Sequence, residues 1–525
     1  MTLSRSWAER HSAGGERVKY NQLRAGAILS YLNLIIGNII PFLYTPIMLR
    51  LLGQAEYGLY GIAQSIMGYI GLLNFGIGGT IVRYLSKYRA MGDKAREERI
   101  IGLFLKIYAV ICGLILAVGL FFAAHIQMYG RSLSLEEVET LRVLVILMTI
   151  NTAVFLPFSI FSSIAIARER YVFTKLVGML SGIAAPALNL ALLYCGFGSV
   201  GLVLSSTVLN FVTYGIYTVY AVKYLQVRPC FRRAEPGLLK EILQFSFFVF
   251  LAGVVDILYW ATDKLIIGWA IGSAATAVYN IGASFNTYVT SLSTAVSDLL
   301  VPRLTEMAVK DTPKEEFTRI FIRVGRLQFL LISFIVSAFV TFGRQFILLW
   351  AGPGYEQSYY VALFTMIPVT VPLIQNTGLN ILYAMNKHRF RSVIYACIAI
   401  LNVVLTLNWV EPYGILGAAA ATCFAYTVGN VLIINWYYYR RIGIDIPEFW
   451  REILRMAPLM AAFTLGGLGI LSHVPVDTWG KFLAGAAVYT LLYWPAAYGF
   501  MMNRSERELC RTVLRGIRRL WKRRG

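Results

Sequence analysis

The chain has 525 residues, of which 58% are hydrophobic and only 14% charged, and its mean hydropathy is +0.63. Soluble domains carry about 25% charged residues, so this composition excludes an ordinary soluble protein. A net charge of +21 would suit a nucleic-acid partner. Most of the basic residues lie, however, in segments between apolar runs, which predicts a membrane orientation signal and no nucleic-acid partner.

Fourteen apolar runs follow along the chain, each close to the length of about 20 residues that crosses a bilayer. They are apolar on all sides and do not alternate, which favours helices over the strands of a barrel. The sequence therefore predicts an all-α polytopic membrane protein with 14 transmembrane helices. The runs lie near residues 27–48, 58–82, 100–124, 141–167, 176–196, 200–222, 242–270, 274–300, 317–343, 359–383, 393–410, 413–439, 455–473 and 479–502.

The basic residues distinguish the two sides of the predicted membrane. If the runs alternate in direction, 41 of the 48 Lys and Arg residues lie on one side and five lie on the other. This bias places the basic side, and with it both termini, in the cytoplasm. The first 25 residues are polar and basic, so they predict no cleaved signal peptide.

The chain also matches itself at a shift of 219 residues, and a shift of 216 carries Gly198 and Gly201 onto Gly414 and Gly417. Two similar halves in one apolar chain are a common plan of secondary transporters. Each half holds six runs, an even number, so both halves would enter the membrane in the same direction. The predicted divisions are a cytoplasmic N-terminal tail 1–24, an N-terminal six-helix half 25–222, a cytoplasmic linker 223–241, a C-terminal six-helix half 242–439, helices thirteen and fourteen within 440–502, and a basic amphipathic cytoplasmic tail 503–525.

Span seven carries Asp256, Asp263 and Lys264 inside an apolar run, with Trp260 between the two acids. A charge at mid-bilayer costs at least about 2.5–3.5 kcal/mol, so it normally faces a cavity or a partner. On a continuous helix these residues share a face. There Lys264 would attract an anionic group of a cargo, and an aspartate would bind a coupling cation or a sugar hydroxyl. The alternative is a structural Asp–Lys pair near the outer interface.

Span eight carries a polar stripe on one helical face, because its members are spaced by three and four residues. Its counterparts at the 219-residue shift are mostly apolar, so the halves differ where a cargo would be recognised. A face rich in hydroxyls and amides suits sugars, and helix packing by small residues is the structural alternative. The stripe consists of Asn280, Ser284, Thr287, Ser291, Thr294 and Asp298.

Further candidates for lining a substrate path are Gln64 and Asn74 in span two, and Asn376 after the two prolines of span ten. Arg326, at the start of span nine, would either snorkel to the inner interface or form a cationic cytoplasmic mouth. The sequence has no metal-ligand spacing, and it has no phosphate-cradling loop, which argues against an ATP-driven pump. We expect a transporter that is not an enzyme and holds no bound cofactor. Transport would be driven by a Na⁺ or H⁺ gradient or by the membrane potential.

Three stretches resemble the polysaccharide flippases of the Wzx type, within the multidrug/oligosaccharidyl-lipid/polysaccharide exporter superfamily. They are patterns of packing and turns, and the similarity covers about residues 25–500. The stretches are Pro46–Tyr60 running into Asn74–Gly78, Asp263–Gly268 followed by Gly272 and Tyr279, and Gly414–Thr422.

The resemblance implies a V-shaped alternating-access transporter in the bacterial cytoplasmic membrane. Its substrate would be an undecaprenyl-pyrophosphate-linked oligosaccharide, moved from the inner to the outer leaflet for assembly of O-antigen or exopolysaccharide. Membrane lipids, and the polysaccharide polymerase and glycosyltransferases of that pathway, would be its partners. Spans thirteen and fourteen would form a groove for the prenyl tail. Two alternatives stay open: a cation-coupled multidrug antiporter that uses Asp256 or Asp263, and a non-transporting scaffold for envelope assembly.

Overall fold

The structure is a computed structural model that describes residues 3–232, 237–297, 304, 306–307, 310, 313–385, 387, 389–474 and 476–522. Every regular element in these ranges is helical, so the predicted all-α class is confirmed. Short π-helical segments follow four helices, at Tyr220–Tyr224, Thr427–Ile433, Tyr438–Ile442 and Ala497–Met501. The helices are α1 Leu3–Gly71, α2 Ile77–Ala90, α3 Lys94–Ala124, α4 Ile126–Tyr129, α5 Leu135–Phe155, α6 Ser159–Ala167, α7 Tyr171–Tyr194, α8 Gly198–Val219, α9 Leu238–Trp260, α10 Thr262–Ala270, α11 Ser273–Ser297, α12 Lys314–Trp350, α13 Glu356–Ile374, α14 Asn376–Ala384, α15 Arg389–Tyr426, α16 Ile434–Tyr437, α17 Ile446–Leu454, α18 Ala457–His473, α19 Trp479–Ala496 and α20 Arg504–Lys522.

Ten helical stretches within the described ranges are long and apolar enough to cross a membrane, and the chain is a multi-pass membrane protein. Two of them, Leu32–Ala90 with 59 residues and Arg389–Ile442 with 54 residues, are longer than two crossings of about 20 residues each. The first stretch contains two glycines with a positive φ, Gly53 at 77° and Gly76 at 66°, and the second contains one, Gly414 at 63°.

The internal repeat of the sequence recurs in the backbone. Gly198 and Gly414, which correspond at the shift of 216, both adopt a positive φ, of 53° and 63°. This region of conformational space favours glycine because it has no Cβ. Three residues later, a Cβ added to Gly201 or to Gly417 would lie 2.9 Å from the Cβ of the aromatic residue four positions earlier. The same tight turn therefore leads into α8 and into the second part of α15.

The contacts divide the chain into two compact units, Met1–Ala277 and Val278–Gly525. In the first unit, α1 packs against α7, α5 and α8, and α3 packs against α5. The core of this unit is apolar, and its fully buried members include Ile62, Phe104 and Tyr108. A partly buried ion pair joins Arg168 to Glu97, with Nη2 and Oε1 separated by 2.9 Å.

The long helix α12 is central to the second unit, where it packs against α13, α17, α18 and α19. Two buried serines on α12 form hydroxyl–hydroxyl hydrogen bonds with tyrosines of α19: Ser333 with Tyr493 at 3.0 Å, and Ser337 with Tyr489. Lipid tails are as apolar as leucine, so packing and interhelical hydrogen bonds of this kind hold membrane helices together. They fix α19 against α12.

Candidate functional site

The charged residues predicted in span seven lie on two consecutive helices. The helix is interrupted after Trp260, between α9 and α10, so the assumption of one continuous helical face does not hold across the break. Asp256 and Trp260 are exposed on α9, Lys264 is half-buried, and Asp263 is only 2% exposed in the first turn of α10. The two carboxylates therefore lie in different environments. The amino end of α10 favours the negative charge of Asp263.

Three hydrogen bonds within the first unit hold α10 in place. In each bond, a side chain from α1 or from the segment between α3 and α5 contacts a residue of α10. Burial raises the pKa of the Tyr129 phenol, which keeps this group protonated as a donor. The bonds join Tyr69 to the Thr262 hydroxyl, Tyr129 to the Leu265 carbonyl at 2.8 Å, and Ser132 to the Ala270 carbonyl at 3.0 Å.

The predicted polar stripe on α11 faces open surroundings over part of its length. Thr287 is exposed, and Asn280, Ser284, Ser291 and Thr294 are half-buried. The hydroxyls of Ser284, Ser291 and Thr294 donate to carbonyls of their own helix, as such side chains commonly do. Their lone pairs remain suited to accepting hydrogen bonds. Asp298 lies outside the described residues.

A second polar face of α11, which sequence reasoning missed, is buried in the second unit. The Gln328 side-chain nitrogen on α12 donates to the Ser293 hydroxyl at 3.2 Å and to the Ser297 hydroxyl at 2.7 Å. The Ser293 hydroxyl donates in turn to the Leu373 carbonyl at 2.9 Å. This second face joins helices, and the first face carries the polar groups that remain accessible.

Arg326 is the centre of a buried ion-pair cluster in the second unit, and it is only 5% exposed. Its Nε and Nη2 donate to the two carboxylate oxygens of Glu506 at 2.7 and 3.0 Å, and its Nη1 donates to Glu452 Oε2 at 3.0 Å. The carbonyls of Met501 and Glu452 accept further bonds. A role for Arg326 in substrate binding, as the sequence predicts, would require one of these carboxylates to leave.

Glu506 also takes part in capping the amino end of α20, the helix that spans most of the predicted basic tail, where Asn503 is the cap residue. Its backbone N–H donates to the Asn503 side chain at 2.9 Å, and the Asn503 N–H donates to the Glu506 carboxylate at 2.8 Å. This reciprocal arrangement satisfies two backbone donors at the helix start. Arg326 therefore ties the start of α20 to α12, and through Glu452 to α17.

Asn376 lies in a small polar cavity, which we call the amide cavity, at the break between α13 and α14. Its volume is about 20 Å³, and Gln375, Arg391, Asn430 and Tyr438 also line it. Two prolines precede the break, Pro368 and Pro372, as the sequence pattern of span ten indicates. The structure thus brings the predicted Asn376 together with an arginine that sequence reasoning did not single out.

The two candidates from span two lie apart from each other. Gln64 is exposed on α1, whereas Asn74 ends the short 3₁₀ turn that follows α1. The side-chain oxygen of Asn74 is buried and has no hydrogen-bond partner among the described residues. An unpaired buried acceptor costs about 1–3 kcal/mol, so this turn is a place where a donor would be stabilised.

A polar cluster between α5 and α8 in the first unit is the clearest group that sequence reasoning missed. The Asn151 amide nitrogen donates to the hydroxyls of Ser206 and Thr207, both at 3.1 Å, and its oxygen accepts from Asn210 at 3.1 Å. The spacing of Ser206 and Asn210 by four residues is the signal that would have placed them on one helical face. The first half is thus less apolar inside than its composition suggests.

An apolar groove of about 590 Å³ lies between α18, α19 and α12 in the second unit, and we call it the α18–α19 groove. Lys481 lies among its lining residues and donates to Asp477 at 2.7 Å. This hydrogen bond lowers the pKa of the Asp477 carboxyl, which lies in the connection between the two helices. The other lining residues include Phe342, Phe463, Gly466, Ile470 and Tyr489.

A repeated all-helical membrane fold with an apolar groove and separate polar clusters is typical of a transporter. The chain matches the family described as polysaccharide biosynthesis protein over residues 23–308, which is more than half of its length. It therefore belongs to this family, and the predicted membership of the Wzx-type polysaccharide branch of the exporter superfamily is confirmed.

Two relatives with named functions match the chain. A Shigella flexneri protein named as an O-antigen transporter is 20% identical over 403 residues, which cover 75% of this chain and 92% of that protein. A Haloferax volcanii protein named as the flippase AglR is 24% identical over 276 residues, which cover 51% of this chain and 55% of that protein.

Solved structures establish the fold at lower identity. The lipid II flippase MurJ in an inward closed conformation has a TM-score of 0.70 and 14% identity, covering 90% of this chain and 98% of that chain. An inward-facing multidrug resistance transporter of the MATE family has a TM-score of 0.62 and 14% identity, covering 79% and 98%. The fold is therefore that of the exporter superfamily.

Proposed function

We propose that this protein is a flippase that moves an undecaprenyl-pyrophosphate-linked oligosaccharide from the inner to the outer leaflet of the cytoplasmic membrane. The observation that carries the proposal is the α18–α19 groove, which is apolar and has a volume of about 590 Å³ in which part of a prenyl chain would lie. The names of the two relatives support transport of a lipid-linked glycan. The likeness to the lipid II flippase also extends over more of this chain, 90%, than the likeness to the multidrug transporter, 79%.

The proposal includes fourteen membrane helices, with two parallel six-helix halves at 25–222 and 242–439 and two added helices within 440–502. The ten stretches support it, because two of them are long enough to cross twice. The helix Ser273–Ser297 and the helix Trp479–Ala496 would supply the remaining crossings. The distribution of the basic segments supports a cytoplasmic position for both termini.

In this mechanism the prenyl tail stays in the α18–α19 groove while the pyrophosphate and glycan cross inside the protein by alternating access in a V-shaped arrangement. The accessible hydroxyls of Ser284, Thr287 and Ser291 on α11 would accept and exchange hydrogen bonds with the sugar. Exposed Asp256 would bind the coupling cation, Na⁺ or H⁺, or a sugar hydroxyl. The polymerase and glycosyltransferases that act on such glycans would be partners.

The test uses the full chain in proteoliposomes that contain a fluorescent lipid-linked oligosaccharide. A membrane-impermeant reductant bleaches only the outer leaflet, so transport increases the bleached fraction. We expect faster loss of fluorescence than in protein-free vesicles and no movement of cationic drugs. Drug export without glycan movement would show an antiporter instead, and no movement of either would show a scaffold.

A further inference from the structure

The amide cavity is built by two irregularities of neighbouring helices in the second unit. Gln375 interrupts the path from α13 to α14, with φ of −103° and ψ of 10°. The segment Thr427–Ile433, which follows α15, is π-helical. Breaks and π-helical turns of this kind occur often at functional sites, because they aim side chains and backbone groups out of the regular helix.

One wall of the cavity is fixed by hydrogen bonds between side chains. The Gln375 side chain donates to Asn435 at 2.8 Å and accepts from it at 3.3 Å. Trp450 donates to the same Asn435 oxygen at 3.1 Å. Gln375 is therefore held in one orientation, and it is 2% exposed.

The other wall carries two donors without such partners. The Asn430 side-chain nitrogen is buried in a residue that is 3% exposed, and it has no hydrogen-bond partner among the described residues. Arg391 forms no ion pair with a carboxylate in the part of the chain that the structure describes; its guanidinium lies 5.7 Å from the ring centre of Tyr395. Both residues line the amide cavity, so an acceptor placed there would have a buried amide and a guanidinium among its neighbours.

A volume of about 20 Å³ holds about one water-sized group. Two donors of this type, one of them cationic, favour an anionic oxygen over a neutral one. Guanidinium groups bind phosphate especially well because their geometry matches two of its oxygens. We propose that the amide cavity receives one oxygen of a phosphate group, with Arg391 and the Asn430 amide as its donors. This proposal rests on the proposed function in one respect: the phosphate would be that of the lipid-linked substrate.

The experiment measures binding of farnesyl pyrophosphate to the full chain in nanodiscs of neutral phosphatidylcholine, with farnesol as the uncharged probe. Arg391→Gln removes the cation, and Asn430→Asp keeps the shape while placing a carboxylate beside Arg391. We expect each variant to weaken pyrophosphate binding by about tenfold or more. Farnesol binding and melting temperature should not change. Arg389→Gln, an exposed arginine two residues earlier on α15, is the matched control and should bind within about twofold of the wild type.

A second set of nanodiscs contains phosphatidylglycerol, which distinguishes the substrate from an anionic lipid headgroup. Wild-type binding of farnesyl pyrophosphate that survives excess phosphatidylglycerol supports the substrate phosphate. Complete displacement by phosphatidylglycerol would overturn that assignment in favour of a headgroup site. Unchanged pyrophosphate binding in both Arg391→Gln and Asn430→Asp would overturn the site, leaving a cavity for water alone.

The two proposals fail in different ways. If the wild type binds pyrophosphate through Arg391 but moves no lipid-linked glycan in proteoliposomes, the proposed function fails and the site stands. If the wild type moves the glycan and Arg391→Gln moves it equally fast, the site fails and the proposed function stands.

Discussion

Arg326 and Arg391 are both basic residues of the second unit, yet their surroundings are opposite. Arg326 is 5% exposed and its donors are taken by Glu452, Glu506 and backbone carbonyls. Arg391 is half-buried, lines the amide cavity and has no carboxylate partner in the described ranges. One arginine is a structural centre, and the other keeps its guanidinium for a ligand.

This difference shows that charge and position along a span do not by themselves predict a binding residue. The role of such a residue depends on whether segments distant in sequence supply it with partners. Glu506 is 180 residues away from Arg326 in sequence, and Glu452 is 126 residues away. The two polar faces of α11 differ in the same way, because one has partners on other helices and the other remains accessible. In the α18–α19 groove, an apolar surface likewise has no covering segment among the described residues.

The largest expected effect is the loss of stability in Arg326→Ala. This change leaves the buried carboxylate of Glu506 without its cation, and breaking one partner of a buried ion pair costs about 3–5 kcal/mol. Thermal unfolding in detergent should show a clearly lower melting temperature. Arg323→Ala removes an exposed arginine one turn earlier on α12 and should unfold like the wild type.

The result that would break the comparison is a stable Arg326→Ala protein that no longer moves glycan. Arg326 would then act on the substrate, as the sequence predicts, and its carboxylate partners would be exchangeable.

The next effect concerns the α18–α19 groove. A Cβ at Gly466 meets no atom within 4 Å, so Gly466→Leu would fill the groove without a clash. We expect the rate of glycan movement to fall by about tenfold, because inserting methylenes where a prenyl chain must lie costs about 1–3 kcal/mol. The matched control is Gly469→Leu on the same helix, which also has open space at its Cβ. Equal rates in the two variants would remove the groove from the substrate path.

Two substitutions on α11 sharpen the contrast between satisfied and available polar groups. Ser293→Ala deprives Gln328 of one acceptor and the Leu373 carbonyl of its donor, so it should lower stability by about 1–3 kcal/mol. Thr287→Val removes an exposed hydroxyl and should leave the melting temperature unchanged while slowing glycan movement by about two- to tenfold. If the Thr287→Val protein is less stable but transports normally per folded molecule, the polar stripe on α11 serves helix packing and does not bind the sugar.

The smallest effect is expected for the ion pair between Lys481 and Asp477. The hydrogen bond from Lys481 holds the pKa of Asp477 below its ordinary value of 3.8. A carboxyl whose pKa is lowered in the folded state stabilises the protein at pH values above the pKa of that group in the unfolded state. This stabilisation is lost only as the pH falls through the lower pKa of the folded state. We therefore expect no change in stability from this group between pH 5 and 8. Because this pair is exposed, Asp477→Asn should not change the melting temperature measurably at pH 7. A clear decrease would mean that the pair closes the end of the groove.

Much of the architecture follows from the sequence. Gly198 and Gly414 correspond in the repeat because both positions need a backbone that glycine adopts most easily. Pro368 and Pro372 predict a kink ahead of Asn376, and the structure has a helix break at Gln375. The break after Trp260 could not be predicted, since neither glycine nor proline marks it.

The partners of Arg326 could not be predicted either, because α17 and α20 approach α12 only through tertiary packing. For the same reason the cluster around Asn151 and the position of Arg391 and Asn430 in one cavity have no local signal. A single sequence shows which residues are polar, and the packing decides which of them remain unpaired.

The most direct test of this account is the rate of glycan movement per folded molecule, measured in the same proteoliposome assay for Arg391→Gln and Arg326→Gln. We predict that Arg391→Gln folds and melts like the wild type but moves the lipid-linked glycan at about a tenth of its rate or less. Arg326→Gln should melt at a lower temperature, while those molecules that remain folded transport at close to the wild-type rate. Wild-type transport by Arg391→Gln, together with loss of transport in stably folded Arg326→Gln, would contradict the account.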